Sequence, residues 1–268
     1  MNRDVSFLPE IERIAREAGD IFRNAAHIED SVSAKGSAIN LVTEYDKKVQ
    51  AFLEDELRQL LPGANFLGEE NGEDIFKPEY KNGWLFIIDP IDGTSNFIKG
   101  YNPSVVSVGL FKDGKPYIGV VYNPRMEELF SAELGCGAFL NGKPIHSSRE
   151  SLLHSLVVFG TAPYYERSLI QGAFESAFSY MGRCIDVRRS GSVAWDLCSV
   201  AAGRAGLYFE PKVQIWDCAA GALILTEAGG KLTDFEGNPL AMNGPSEIVG
   251  ASEGVAKETY LPVSCLSG

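Results

Sequence analysis

The apolar positions of this chain follow more than one rhythm. Ile11, Ile14, Ala15, Ala18, Ile21, Phe22 and Ala25 recur at the i, i+3, i+4, i+7 spacing of one helical face. Val49, Phe52, Leu53, Leu57, Leu60 and Leu61 do so again, up to a stop at Pro62-Gly63. Both stretches predict surface helices packed on a core. Trp84 to Ile88 are then apolar without a break, the pattern of a strand buried on both faces. From Val105 to about Ala132, short apolar and aromatic runs are cut by Asp113-Gly114 and Asn123-Pro124, and Asn141-Gly142 follows; this predicts antiparallel strands joined by tight turns. Residues 146–154 are polar and serine-rich, as suits a connection between lobes. The second half alternates a strand at Leu156 to Phe159, a helix over 165–181, an alanine-rich helix over 193–203 and a strand at Leu207 to Phe209. An apolar helix over 217–228, closed by Gly229-Gly230, and a last strand at Ile248 to Ala251 complete it. The prediction is a layered α/β (α+β) fold with one sheet mainly antiparallel. It would be a single domain over 1–268, with an N-terminal α+β lobe (about 1–145) and a C-terminal α/β lobe (about 155–268).

Composition narrows what such a fold can do. With 268 residues, 45% of them hydrophobic, the chain can bury a large core. No apolar stretch approaches the roughly 20 residues needed to span a bilayer, and the amino terminus is charged and amphipathic, so a soluble cytoplasmic protein is expected. A net charge of −12 gives no electrostatic reason to bind nucleic acid or an anionic membrane. An anionic substrate would be repelled too, unless bound cations inverted the local field. Cys136, Cys184, Cys198, Cys218 and Cys265 form no C-x-x-C pair and are odd in number, which predicts buried, reduced thiols. His27, His146 and His154 are scattered, so any metal would be held by oxygen.

The candidate chemistry lies where the apolar strand ends. Residues 84–97 read W-L-F-I-I-D-P-I-D-G-T-S-N-F, so Asp89 and Asp92 should emerge together at the carboxyl edge of a strand, where open α/β sheets place ligands. Pro90 disposes Asp89 to extended geometry, and Gly93 permits a sharp turn that would aim the Gly93 and Thr94 amides at an anion. Two phosphatase chemistries use aspartates and G-T after such a strand. Aspartyl-phosphate enzymes resembling haloacid dehalogenases carry D-x-D-G-T, with two-residue spacing. Here the spacing is three, and the G-D pair at Gly19-Asp20 lies upstream.

D-P-I-D-G-T instead resembles the inositol monophosphatase family of Mg²⁺-dependent, Li⁺-sensitive sugar phosphatases, and further motifs follow the same order from Lys35 to Gly230. K-G-S-A-I-N-L-V-T-E-Y-D, from Lys35 to Asp46, looks like the family's first motif; it departs at Asn40, where relatives often carry aspartate. Gly68-Glu69-Glu70 resembles the second, although adjacent glutamates are ordinarily solvated surface. E-L-G-C-G-A-F-L-N-G at 133–142 and W-D-C-A-A-G from Trp216 to Gly221 also match. The resemblance implies an αβαβα sandwich of the sugar-phosphatase type, a homodimer, and a small phosphate monoester as partner. It also implies two or three Mg²⁺ ions held by Glu69, Asp89, the Ile91 carbonyl, Asp92 and Asp217, with Glu70 and Lys35 as weaker assignments. An aspartate in a helix's first turn also gains about 0.3 to 1 kcal/mol from the dipole without a metal, but the company of the other motifs favours a ligand role for Asp217.

In the catalytic scheme that follows, Asp46 accepts a hydrogen bond from Thr94, and Thr94 with Glu69 orients and activates the attacking water. Thr43 and Asp46 also read as a helix capping box. The phosphate would rest on Gly93, Thr94 and Ser95. Glu210 matches the family position that receives substrate hydroxyls, though it also reads as a strand-end glutamate before Pro211; Ala194 and Thr161 match positions near the ring. A carboxylate at that end disfavours a second phosphate, whereas Arg188 and Arg189 would reverse the preference if they pointed inward. Lys99 stands where relatives commonly carry histidine. The activity implied is that of a myo-inositol monophosphatase, with alternatives in 3′(2′),5′-bisphosphate nucleotidase, NADP phosphatase and fructose-1,6-bisphosphatase. Bacterial relatives also serve as protein partners in transcription, where catalysis is dispensable.

Overall fold

The computed structural model describes residues 6–26, 28–35, 41–71 and 77–258. His27, Asn40, Cys265 and residues 36–40 of the first motif lie outside the described residues. Six α-helices are described: α1 (Leu8–Arg23), α2 (Glu44–Leu60), α3 (Thr94–Ile98), α4 (Arg167–Tyr180), α5 (Val193–Ala201) and α6 (Ile215–Glu227). The strands are β1 (Ser33–Ala34), β2 (Leu41–Val42), β3 (Asn65–Gly68), β4 (Trp84–Asp92), β5 (Val105–Lys112), β6 (Lys115–Asn123), β7 (Glu128–Glu133), β8 (Ala138–Leu140) and β9 (Lys143–Ile145). They continue with β10 (Leu156–Phe159), β11 (Asp186–Arg188), β12 (Leu207–Val213), β13 (Lys231–Thr233) and β14 (Ser246–Ala251).

β3 to β9 form a seven-stranded sheet in sequence order, antiparallel except where β3 runs beside β4. Its hairpins turn at Asp113-Gly114 (φ 50° and 74°) and Asn141-Gly142 (φ 49° and 73°), the two successive positive angles that Asn-Gly and Asp-Gly tolerate. The second sheet has the order β11-β10-β12-β14-β13; its first three strands are parallel and the rest antiparallel. The amphipathic α1 and α2 bury Ile11, Ile14, Phe22, Val49, Leu53 and Leu57 against one face of the first sheet. On its other face lie α5 and α6, whose apolar sides also meet the second sheet, and α4 covers the far side of that sheet. The layers are therefore αβαβα, as expected.

α6 is apolar all round because both of its sides are covered. It lies so close to the first sheet that a Cβ on Gly119 of β6 would stand 2.5 Å from the Ala220 carbonyl oxygen. A chain segment from the second half is thus fitted into the sheet built by the first. Among the described residues, no helix is long and apolar enough to cross a membrane. Two sequence expectations need correction. Cys136 is exposed on the turn after β7; among the described residues the buried thiols are Cys184, Cys198 and Cys218. Ala25 falls beyond the end of α1, its amide bonded to the Phe22 carbonyl in the unwinding last turn.

Candidate active site

β4 is buried along its length between α2 and α6, and it brings Asp89 and Asp92 to the bottom of a cavity of about 750 Å³. Because β3 runs parallel to β4 with Gly68 opposite Ile88, the next residue, Glu69, comes beside Asp89. Gln50 of α2 braces that turn, its Oε1 accepting from the Glu70 amide at 2.9 Å. Asp217 enters from the first turn of α6 and lines the same cavity. Four carboxylates from three separated segments are thereby collected around one space.

Each of the three aspartates has at least one oxygen anchored. Asp89 Oδ1 accepts from the Ile91 amide at 3.0 Å, and Asp217 Oδ2 from the Gln214 amide at 2.8 Å. Asp92 is gripped from α5, 100 residues away: Oδ2 accepts from Ser192 Oγ and the Ala194 amide, both at 2.7 Å, and Oδ1 from the Val193 amide at 3.3 Å. Burial pushes the Asp89 and Asp217 carboxyls well above the ordinary aspartate range, and the neighbouring carboxylates add to it. Asp92 is also raised by burial, to about 7, with its bonds to Ser192 and Ala194 opposing the rise. At an effective dielectric of 20, two charges 4 Å apart repel by about 4 kcal/mol, so this set is costly to ionise without cations.

Buried, all-carboxylate and self-repelling, the donor set fits a hard divalent ion such as Mg²⁺. Among the described residues, no three His, Cys, Asp or Glu side chains are drawn together tightly enough to hold one ion as they stand. Lys35 occupies part of the acidic end, bonded through Nζ to Glu69 Oε1 at 3.0 Å and to Glu70 Oε1. Burial alone would lower its pKa, but Glu69 and Glu70 outweigh that and raise it. Glu70 is thus engaged by the ammonium of Lys35.

Asp46 combines both roles weighed for it. Oδ2 closes the cap of α2, accepting from the Thr43 amide at 2.7 Å and Thr43 Oγ1 at 2.6 Å, while Oδ1 stands 3.2 Å from Thr94 Oγ1. The Thr94 hydroxyl also lies 3.1 Å from the Ile91 carbonyl. With a single hydrogen to donate, it has two acceptors on one side and its lone pairs for the other. Gly93 takes the left-handed conformation (φ 91°), and with Thr94, Ser95 and Asn96 it lines the cavity.

At the opposite wall Glu210 is buried, with Oε1 accepting from the Ala162 amide at 2.8 Å and Oε2 from the Tyr208 hydroxyl at 2.7 Å. Burial raises its pKa, and those two bonds oppose the rise. A Cβ on Gly160 would lie 1.8 Å from Glu210 Oε2, so only glycine fits there.

Ala194 and Thr161 do not line the cavity. Ala194 is fully buried behind Val193, which does line it, and the Thr161 hydroxyl is turned to Arg189. Lys99 points to solvent and pairs with Glu29. Arg188 pairs with Asp186 outside the cavity, whereas Arg189 lines it. Sequence reasoning missed Ser192, Asp196, Lys212, Gln214, Tyr164 and Tyr165 of the wall. Ser192, the N-cap of α5, had a local signal in S-V-A-W-D; its grip on Asp92 had none.

Residues 6–265 match the sequence profile of the Inositol monophosphatase family. "Inositol monophosphatase 2" of Solanum lycopersicum is 36% identical over 252 residues, covering 92% of this chain and 93% of that protein. "Nus factor SuhB" of Xylella fastidiosa is 35% identical over 227 residues, covering 84% and 80%. Among solved structures, a Thermotoga maritima IMPase superimposes with a TM-score of 0.82 at 30% identity, covering 96% of this chain and 95% of that one.

Proposed function

The chain belongs to the inositol monophosphatase family and is a phosphatase of phosphate monoesters; from that premise we propose that it is Mg²⁺-dependent and hydrolyses a polyol monophosphate, myo-inositol monophosphate first, by direct attack of water. The observation that carries this reading is the gathering of Glu69, Asp89, Asp92 and Asp217 around one cavity, with the Thr94 hydroxyl held at its edge by Asp46.

In this reading Glu69, Asp89, the Ile91 carbonyl, Asp92 and Asp217 hold two or three Mg²⁺ ions. Bound Mg²⁺ supplies neutralisation of the phosphoryl oxygens and a lowered pKa for water. The protein's own groups set direction. Thr94 gives its hydrogen to Asp46 and keeps a lone pair for the attacking water, while Glu69 accepts the water's proton. Gly93 and Thr94 present backbone N–H groups, and Ser95 its hydroxyl, to the phosphate. Glu210 receives substrate hydroxyls at the far wall. Lys35, held by Glu69 and Glu70, keeps the acidic end compact.

The family resemblance supports inhibition by Li⁺, and the sequence's lack of a long apolar run, with its charged amino terminus, supports a cytoplasmic location. The exposed apolar side chains Phe174, Phe178, Met181 and Ile185, on and just after α4, support a homodimer. The test of the whole reading is phosphate release from a panel of inositol, sugar and nucleotide phosphates, with Mg²⁺ and with chelator. Release from inositol phosphate in Mg²⁺ alone is expected; equal release in chelator would overturn the metal-dependent scheme. A second reading, a partner in transcription with dispensable catalysis, is favoured by relatives named Nus factor SuhB. It is tested by whether Asp92→Asn complements a deletion in the source cell.

A further inference from the structure

Ser107 of β5 is fully buried, and among the described residues its hydroxyl has no hydrogen-bond partner. An unbonded buried hydroxyl is costly, and most native ones are satisfied, so this one asks for a cause. Close packing explains only the size of the side chain. α6 lies low over this part of the sheet: a Cβ on Gly109, two residues further along the same face of β5, would stand 3.1 Å from the Ala219 Cβ. Alanine would meet that need without an orphaned oxygen.

The sheet register supplies a neighbour. Ser107 is paired with Asp89 across the ladder between β4 and β5, on the last rung before the register shifts ahead of Asp92. Side chains of directly paired residues stand on the same face, with Cβ atoms roughly 4.5–5.5 Å apart. That face lies beneath α6, because Phe111 packs there with Trp216 and Ala219, whereas Val106, Val108 and Leu110 pack on the side of α1 and α2. Four residues border Ser107 on this face of the sheet: Asp89 on β4, Val121 on β6, and Val105 and Gly109 on β5 itself. Of these, Asp89 has the one polar side chain. Asp89 is anchored through Oδ1 by the Ile91 amide, and a carboxylate, with about four lone-pair directions, can accept further bonds.

We propose that Ser107 is a positioning residue for Asp89: its O–H donates to the Asp89 carboxylate when that carboxylate turns to hold a divalent cation, and keeps it there. This rests on the metal-dependent function proposed above. Among the described residues no three acidic side chains stand close enough to share one ion, so loading must turn some of them. As the side chains stand, Ser107 and Asp89 are neighbours without a bond. A bond gained together with the ion counts toward ion affinity. Hydrogen bonds that orient a metal-ligating group from behind are worth about tenfold to a hundredfold in affinity.

The test uses the full chain and Mg²⁺ itself. Wild type, Ser107→Ala and Ser131→Ala are compared for Mg²⁺ affinity by calorimetry and for melting temperature in chelator and in Mg²⁺. Ser131 of β7 is the control: its hydroxyl is also buried without a partner among the described residues, but it is paired with Val120 on the face of α1 and α2, away from the acids. Ser107→Ala should weaken Mg²⁺ binding by about tenfold and shrink the rise in melting temperature that Mg²⁺ produces. In chelator it should melt no lower than wild type, because the change removes an orphaned hydroxyl and no bond. Ser131→Ala should leave the affinity and the rise unchanged. Wild-type affinity in Ser107→Ala, a lower melting temperature of that variant in chelator, or an equal loss of affinity in Ser131→Ala would overturn the role of Ser107 and leave the metal-dependent reading standing. No Mg²⁺ binding by wild type would overturn both.

Discussion

The carboxyl end of β4 and the carboxyl ends of β10 to β12 face the same cavity with opposite character. The first offers buried Asp89 and Asp92 with half-buried Glu69 and Asp217 around the same space. The second offers Arg189 and Lys212 with no acid at salt-bridge distance among the described residues, beside a Glu210 whose oxygens are both bonded. The first end is negative in character and the second positive. Neither half of the chain contains this arrangement alone, because Glu69, Asp89 and Asp92 come from the first half and Asp217, Arg189 and Lys212 from the second.

The contrast can be broken most severely at the acidic end. Asp92→Asn should cost at least about a hundredfold in kcat with far-UV circular dichroism unchanged, since the amide is isosteric and the carboxylate is the candidate ligand. Near wild-type turnover would remove Asp92 from the site. Thr94→Val keeps the shape but deletes the hydroxyl between Asp46 and the Ile91 carbonyl; kcat should fall by about tenfold to a hundredfold with little change in KM. A loss confined to KM would show that Thr94 only binds.

At the other end, Gly160→Ala places a methyl group against Glu210 and should destabilise the fold by about 1–3 kcal/mol in urea titration, because buried, bonded Glu210 has little room to retreat. An unchanged midpoint would mean that the loop gives way easily.

The smallest effect sharpens the electrostatics. Asp92 is raised from 3.8 to about 7, so between those values the folded chain keeps a proton that the unfolded chain has lost. Stability of chelator-treated protein from this group is therefore full below the unfolded value, declines as pH rises, and levels off above about 7. The melting temperature in chelator should fall between about pH 5 and pH 7.5, and millimolar Mg²⁺ should raise it most at the upper end. A Mg²⁺ shift that is absent, or larger at the acid end, would contradict the assignment.

Much of this architecture was legible in the chain. Continuous apolar character gave β4, helical spacing gave α1 and α2, and Asp-Gly and Asn-Gly marked hairpins, because each depends on residues near one another in sequence. The acidic end was legible through D-P-I-D-G-T, whose spacing and Gly93 act locally. What lay beyond reading depends on distant approach. No pattern announces that Ser192 and the Ala194 amide close on Asp92, or that Arg189 turns into the cavity while its neighbour Arg188 turns out to Asp186. Resemblance set Ala194 near the substrate ring; helix phase puts Val193 on the cavity wall and the Ala194 methyl in the core, with the Ala194 amide on Asp92. Strands β3 to β9 and β10 to β14 form separate sheets, but α6 packs on both and belongs to neither alone.

The groove beneath α6 has a mechanical consequence. Gly109 and Gly119 let the helix lie nearly in contact with β5 and β6, and its first turn carries Asp217. A single methyl added at residue 119, well below the reaction chamber, would act as a wedge: the helix would lift and withdraw its carboxylate from the other three. Affinity for Mg²⁺ would then register the thickness of a seam between two sheets, and damage there would look in an assay like loss of a ligand.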